Sequence, residues 1–551
     1  MAPSTRQSSL DELDGTTFDV LVVGGGINGA VSAAALRARG AKVALVDRGD
    51  FAGFTSMHSS NLAWGGIKYL ETYEFGLVRK LCRSRNKLLL AYPSAVREVR
   101  FFATLTRGFR FGRWFLFMGA LLYWAIGGLF TRRPRLLSNA TIARDEPGID
   151  TSRTVGGIEY SDACFVDNDA HFVFRFVRDA MEGGATVANY VESLGSRWDG
   201  EQWTTALRDR PTGRELCVRS RVVVNACGPY VEEHNRRSGV RTRHRHVFSK
   251  GVHLVVPRVT DSVRVLTFFA SDGRLFFAIP MGPCSSIGTT DTRVDELPAR
   301  ITAEDRAFIL DNINARLRRE RPLTEADVLG ERCGVRPLVV EAASDDQLEQ
   351  DWTALSRKHV LEVDAERPHL SIFGGKLTDC INVGREVAHA VERLGVPLRA
   401  SKRWYGEASP AERQQLMDRA RALSLEELDG RREAPAERLW RRYGPRAHEL
   451  LDRIERDPSQ AELLIPGAEV LRVEATHAAQ HERVVELEDF LRRRTMIEQL
   501  VPRAALLRMP QLPQLAELLF GDDAPARLEA YRRGASAPAD PAEAPEPTSP
   551  R

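Results

Sequence analysis

Short apolar runs open the chain. Phe18–Val23 (FDVLVV) stops at glycines, an alanine-rich stretch follows from about Asn28 to Arg39, and Lys42–Asp47 (KVALVD) is apolar again. Strand, tight glycine turn, helix and strand make a βαβ unit, which predicts a parallel sheet here. Further strands are expected at Arg221–Asn225, Val252–Val256, Leu275–Ile279, Ser286–Gly288 and His369–Ile372. From Pro410 to about Arg533 the pattern changes to charged amphipathic helices, for example Pro435–Glu455 and Val484–Gln499, and marks a separate helical region. Residues 1–17 are polar and small, and 534–551 holds five prolines among Ala, Glu and Ser. Neither composition builds a core, so both ends read as disordered tails.

One apolar stretch stands apart. Trp114–Thr131 runs 18 residues without a charge, between Arg107, Arg110 and Arg113 on one side and Arg132, Arg133 and Arg135 on the other. Three readings stay open: a membrane span at the lower length limit, a buried core helix, or an interfacial helix whose arginines hold anionic headgroups. A span would place the βαβ unit and the later strands on opposite sides of a bilayer, although they belong to one fold.

With 551 residues the chain is long enough for three or four structural units at roughly 100–200 residues each. A composition of 43% hydrophobic and 28% charged residues excludes wholesale disorder, collagen and coiled coil. The 78 Lys and Arg nearly cancel the 75 Asp and Glu, so the net +3 gives no reason to expect nucleic acid as a partner. Seven cysteines lie singly, with an odd count and no C-x-x-C, so neither a metal site nor a disulfide framework is expected. The first residues lack the apolar segment of a secretory signal. A reduced cytoplasmic location is expected, with peripheral contact at the cytoplasmic membrane left open.

The strongest local signal is Gly24-Gly25-Gly26-Ile27-Asn28-Gly29, a G-x-G-x-x-G between strand and helix. Gly24 permits the tight turn, Gly26 lets the backbone approach a pyrophosphate, and Gly29 lets helix and strand pack closely. Asp47 ends the second strand, where an acid accepts ribose hydroxyl hydrogen bonds. A dinucleotide site is therefore expected, with FAD or NAD undecided by the motif. The hydroxyl-rich segment Thr55-Ser56-Met57-His58-Ser59-Ser60 follows, suited to a second phosphate or a flavin edge.

The run Ser59-Ser60-Asn61-Leu62-Ala63-Trp64-Gly65-Gly66-Ile67-Lys68-Tyr69-Leu70-Glu71 resembles the flavin-proximal signature of the FAD-dependent, quinone-linked glycerol-3-phosphate dehydrogenases. These belong to the larger family of glycine oxidase and D-amino-acid oxidase. The resemblance continues in order through Asn225–Pro229, Lys250–His253, Gly288–Asp291, Gly334–Leu338, Leu355–Arg357 and Phe373–Thr378, to Leu487–Thr495 near the end. Two blocks depart from the usual pattern: Asn61 and Trp64 stand where relatives commonly carry Lys and His, with Lys68 for Arg, and Asp379-Cys380-Ile381 follows the Gly-Gly-Lys-Leu-Thr block.

The resemblance implies an α/β fold: a Rossmann-type FAD-binding domain interleaved with an antiparallel-sheet substrate domain, plus a C-terminal α-helical domain. The FAD part would take about 18–105, 150–250 and 365–400, the substrate part about 106–149 and 250–364, and the helical domain 405–533. The expected FAD contacts are Gly24, Gly26, Asn28, Gly29, Asp47, Thr55, Ser56, Ser59, Ser60, Leu62, Gly65, Gly66, Val191, Gly228, Gly375, Lys376, Leu377 and Thr378. Glycerol 3-phosphate carries a dianionic phosphate and a secondary alcohol, so its oxidation needs cations, a base and a hydride acceptor. The resemblance places Arg336 and Arg357 on the phosphate, where the planar guanidinium makes paired charge-assisted bonds. Lys376, Lys68 and Tyr69 are expected to bind substrate, with Lys68 and Lys376 also assisting the chemistry. His253 is expected as general base or hydroxyl-orienting residue. Quinone is the expected electron acceptor. Alternatives kept open are another small hydroxy acid, amino acid or phosphorylated polyol as substrate, and a catalytically silent flavin-binding module. Homo-oligomer formation is also open.

Overall fold

The computed structural model describes residues 5–341, 358–400, 403–427, 433–465 and 467–534. Its first sheet is built around Thr17–Val23, which pairs in parallel with Val43–Val46 on one side and Glu215–Asn225 on the other. Thr186–Ala188 and His369–Phe373 extend the parallel sheet outward. Val20 to Val23 and Val43 to Val46 are all buried, as the continuous apolar runs require of strands covered on both faces. The register sets Val23 opposite both Val46 and Asn225. Three strands thus finish level, and the turns after them meet at one edge, the usual ligand position in such sheets. The helix Ile27–Ala38 lies on this sheet between Asp169–Glu182 and Cys380–Arg393.

The second sheet has ten strands and is mostly antiparallel. Its long element, His244–Pro257, pairs with Gly330–Glu341 so that Ser249 faces Arg336, Gly251 faces Gly334 and His253 faces Arg332. Side chains alternate along strands, so these six positions share one face. The helix Ala303–Asn314 packs its Ile309, Leu310 and Ile313 into the apolar cluster beneath this sheet. Two further apolar clusters belong to the helical C-terminal region, one around Leu439 and Leu450, the other around Phe490 and Leu515.

Three expectations meet a different structure. The expected tail over 1–17 instead carries a helix, Arg6–Leu13, and the start of the first strand at Thr17. Leu10 and Leu13 enter an apolar cluster with Phe18, Trp203 and Leu207, and the Arg6 guanidinium donates to the Asn189 carbonyl and pairs with Asp209. The single helix expected over Pro435–Glu455 is two, Pro435–Tyr443 and Ala447–Arg456, because the chain turns at Gly444-Pro445. Val484–Gln499 contains only a wide π-type turn, Asp489–Arg494, and a short helix from Ile497. That wide turn sends the consecutive Arg493 and Arg494 to one buried carboxylate, Asp50, at 2.7 and 2.8 Å. The expected C-terminal tail lies outside the described residues beyond Gly534.

The apolar stretch forms the helix Arg113–Ile126, about 21 Å long at 1.5 Å per residue. Among the described residues no helix is long and apolar enough to cross a membrane. Nor is this one buried. Ala120 and Tyr123 face inward, while Trp114, Phe115, Met118 and Leu122 are exposed, joined by Leu129 and Phe130 beyond the helix end.

Candidate functional site

The strand ends and the turns after them form a cleft lined by Gly24, Gly26, Asp47, Thr55, Ser56, Val191 and Gly228. All seven were expected FAD contacts, and the fold brings them together. Gly24 sits at φ +101°, and a side chain there would meet the Ala226 carbonyl at 2.5 Å. A Cβ on Gly29 would lie 1.8 Å from the Gly24 carbonyl oxygen, so helix and turn touch. The Ile27 amide at the helix start donates to Ser56 Oγ at 3.0 Å. Asp47 accepts from the Gly25 amide at 2.6 Å and the Gly49 amide at 2.8 Å. Burial still pushes its carboxyl up to about 6, against the pull of those amides. Arg48 lies over the Tyr230 ring at 3.8 Å and forms part of the cleft wall with Phe54. Neither aromatic carries a sequence signal for this role.

A second set of expected residues gathers where the glycine loop after His369–Phe373 meets the other sheet. Asn28 Nδ2 donates to the Gly374 carbonyl at 2.9 Å, and the Gly374 amide donates to His246 Nε2 at 3.1 Å. A Cβ on Gly375 would crowd the Asn28 amide group at 3.2 Å. Lys376 Nζ donates to Tyr69 Oη at 2.5 Å and lies 4.1 Å above that ring. Thr378 Oγ1 reaches the Trp64 carbonyl at 3.4 Å, and Leu377 follows Lys376 in the same turn. Gly66, at φ +82°, has the Tyr69 ring where a side chain would stand. Gly65 donates its amide to Asp162 at 2.9 Å, and the Tyr123 hydroxyl occupies the space beside it.

The segment 55–62 connects the two sets. Thr55 Oγ1 donates to the Val335 carbonyl at 3.0 Å. The Ser59 amide donates to Asp169 at 2.7 Å, and Leu62 pairs with Cys164. Ser60 Oγ lies 2.9 Å from His253 Nε2. His253 is buried, its Nδ1 has no protein partner, and burial with the charges of Arg332 and Arg336 drives it down to about 3. The imidazole is therefore neutral at pH 7, and the same burial and cations weaken it as a base. Arg336 lies across Gly251, whose missing side chain makes room for its guanidinium. Asp291 at 3.1 Å and Thr289 Oγ1 at 3.1 Å orient it.

One expected residue is not gathered in, and a second is not described. Lys68 is exposed on the turn beside Tyr69, and Arg357 lies outside the described residues. Others went unnoticed in the sequence. Arg332 is buried and donates to the Ser59 carbonyl and to Asn61 Oδ1 at 3.1 and 3.2 Å. Its even spacing from Arg336 on a strand was the available signal. Arg85, Tyr123 and Asp162 form a buried trio behind Gly65, with contacts of 3.0 and 2.7 Å, and carry no local signal. The departure at Asp379 is accounted for: burial opposes its charge, but His359, Ser84 and Asn382 hold it down to about 2. Ser60, Asn61 and Arg332 also line a cavity of about 370 Å³ that reaches Met496 and Leu500 of the helical region.

This edge-of-sheet cleft with a glycine-rich helix start defines a dinucleotide-binding protein. The FAD dependent oxidoreductase family matches residues 19–360, and the C-terminal domain of alpha-glycerophosphate oxidase matches 395–524. "Glycerol-3-phosphate dehydrogenase 2" of Mycobacterium tuberculosis is 33% identical over 509 residues, 90% of this chain and 84% of its own length. "Glycerol-3-phosphate dehydrogenase" of Pseudomonas aeruginosa is 32% identical over 513 residues, 90% of this chain and 95% of its own. In fold, the chain is similar to the glycerol-3-phosphate dehydrogenase of Bacillus halodurans solved with FAD, at a TM-score of 0.70 and 23% identity over 97% of this chain and 98% of that one. The chain belongs to the FAD-dependent oxidoreductases and, within them, to the glycerol-3-phosphate dehydrogenases. Its cofactor is FAD, and the site fits it: Gly26 leaves the helix start bare except for Ser56 Oγ at 3.2 Å, and the buried Asn28 Oδ1 has no protein partner.

Proposed function

We propose that the protein oxidises sn-glycerol 3-phosphate to dihydroxyacetone phosphate and passes the electrons to a quinone at a membrane surface. The observation that carries this reading is a neutral buried base, His253, on the same strand face as Arg336 and beside the loop that bears Lys376. FAD, when bound, accepts the hydride that leaves C2 of the alcohol. His253 takes the hydroxyl proton, and Ser60 Oγ fixes the ring from its other nitrogen. Arg336 offers a planar fork to the phosphate, and Lys376 adds a point charge whose position Tyr69 sets. Arg357 keeps the phosphate role that the resemblance implies, and Lys68, exposed beside Tyr69, is a further cation for the same group.

The acceptor reading is supported by the exposed face of Arg113–Ile126. Trp114, Phe115, Met118 and Leu122 form an apolar stripe, and Arg107, Arg110, Arg132 and Arg133 are exposed beside it. Aromatic and aliphatic side chains rimmed by arginines suit an anionic membrane interface. The inner face of the same helix contributes Tyr123 behind Gly65, so the apolar stripe backs onto the flavin loop.

Anaerobic addition of sn-glycerol 3-phosphate to the yellow protein tests the reading. Bleaching of the flavin band is expected, and an unchanged spectrum would remove the substrate assignment. A second reading, oxidation of another small hydroxy acid, amino acid or phosphorylated polyol, rests on Asn61, which is engaged by Arg332. Substrates with and without phosphate separate the two.

A further inference from the structure

Outside the flavin site, one cluster in the helical region has the chemistry of a ligand set. His477 and His481 stand four residues apart on the helix Arg472–His481, so both project from one face. Their rings lie 4.7 Å apart, tilted by 32°. Glu449, from the neighbouring helix Ala447–Arg456, faces them, and one ligand atom from each of the three lies within 4.8 Å of the others. His477 is fully buried, yet neither of its ring nitrogens has a hydrogen-bond partner. A buried imidazole with both nitrogens unpaired is a costly arrangement unless something occupies the space they face.

We propose that Glu449, His477 and His481 bind a divalent transition-metal ion of the zinc class. Two imidazoles and one carboxylate are the donors such ions prefer, and three protein ligands plus water complete a tetrahedron. Ligand atoms around a tetrahedral zinc stand about 3.3 Å apart, so the three side chains close by roughly 1.5 Å at most on binding.

The surroundings set the strength. Arg178, Arg446 and Arg453 raise the potential at His477, and Arg483 adds to that at His481. Arg446 pairs with Glu182 and also stands 3.8 Å from Glu449, Arg453 donates to Gln480 at 2.7 Å, and Arg178 lies 3.6 Å from Glu482. Nearby cations weaken the hold on a dication, so the affinity is modest. The site has a structural consequence. Ala447, Leu450 and Leu451 belong to one apolar core of the helical region, Ala475 and Ala478 to the other. The ion would clamp the two together.

The test uses full-length, tag-free holoenzyme stripped with a chelator. Titration with Co(II), followed by its visible absorption, and with Zn(II), followed by calorimetry, is expected to give one site per chain and a rise in Tm. Glu449→Gln and His481→Ala, both on half-buried or exposed positions, are each expected to weaken uptake at least tenfold. Flavin content and bleaching by substrate stay unchanged in both, which separates metal loss from misfolding. No uptake by the unaltered protein overturns the proposal, as does uptake that either substitution leaves intact.

Discussion

Ser60 and His253, 193 residues apart in the chain, meet at 2.9 Å between the Ser60 hydroxyl and the imidazole Nε2. The contact joins the flavin-proximal loop to the strand that carries the base. Ser60→Ala leaves a buried ring nitrogen without a partner, at a cost of about 1–3 kcal/mol. We expect flavin bleaching by substrate to slow about tenfold or more with KM little changed. Stopped-flow reduction checks this, and rescue by Ser60→Thr distinguishes hydroxyl loss from a packing defect. An unaltered reduction rate would sink the assignment.

Arg336 lies across Gly251, oriented by Asp291 and Thr289. Hydrogen bonds to a charged group are worth about 1.5–3 kcal/mol. Arg336→Ala should therefore raise KM for the phosphorylated substrate by roughly 10- to 100-fold. Arg336→Lys should recover only part, because a point charge lacks the planar fork. Steady-state kinetics decide it; an unchanged KM excludes the phosphate role.

The 1.8 Å approach between a Cβ at position 29 and the Gly24 carbonyl leaves no space for even a methyl group. Gly29→Ala must push the helix start away from the turn that would receive the pyrophosphate. The expected outcome is protein with little bound FAD, read as the ratio of flavin to protein absorbance. Normal flavin content would contradict the close packing described here.

Exposed Trp114 and Phe115 contribute the largest apolar side chains of the stripe. Full burial of such a side chain is worth about 1.5–3 kcal/mol. Trp114→Ser with Phe115→Ser should lower partition onto vesicles containing phosphatidylserine at least tenfold, while soluble dye reduction stays intact. Sedimentation with vesicles measures it. Equal binding by both proteins would reassign the stripe.

Burial drives His234 and His246 down to about 4, and His253 and His369 down to about 3. The unfolded chain binds protons at these sites below about pH 6.5, whereas the folded protein does not. Folded values below unfolded values mean stability that is whole above that pH and is lost as pH falls toward the folded values. Asp47 and Asp179, both raised to about 6 by burial, act in the opposite sense between about pH 6 and 4. His58 and His171 are likewise held low by burial, and because unfolded histidines take up their protons near pH 6.5, above the range where the raised carboxylates act, Tm should fall between pH 7 and pH 5. A flat or rising Tm across that range would contradict this account.

The nucleotide end of the site could be read from sequence because its determinants are local. Gly24, Gly26, Gly29 and Asp47 lie within one βαβ unit, and their spacing dictates where each backbone goes. The substrate end could not. His253, Arg332 and Arg336 share a face only through the register of two strands. The resemblance supplied two of them; Arg332 offers only its even spacing from Arg336, which gains meaning once the strands pair. The helix at Arg6–Leu13 escaped because its two buried leucines are too few to mark a period. The turn at Asp489–Arg494 escaped because a distant carboxylate, not local preference, fixes its width.

Asp50 lies three residues beyond Asp47 and has Arg493 and Arg494 for counter-ions, while Asp167 has Arg441 and Arg442. Breaking one side of a buried ion pair costs about 3–5 kcal/mol. A chain shortened to the nucleotide and substrate sheets would keep every residue of the flavin site, yet strand two negative charges in a dry interior. The last quarter of the polypeptide thus serves as the electrical ground of the first part, and neither portion is expected to survive expression alone.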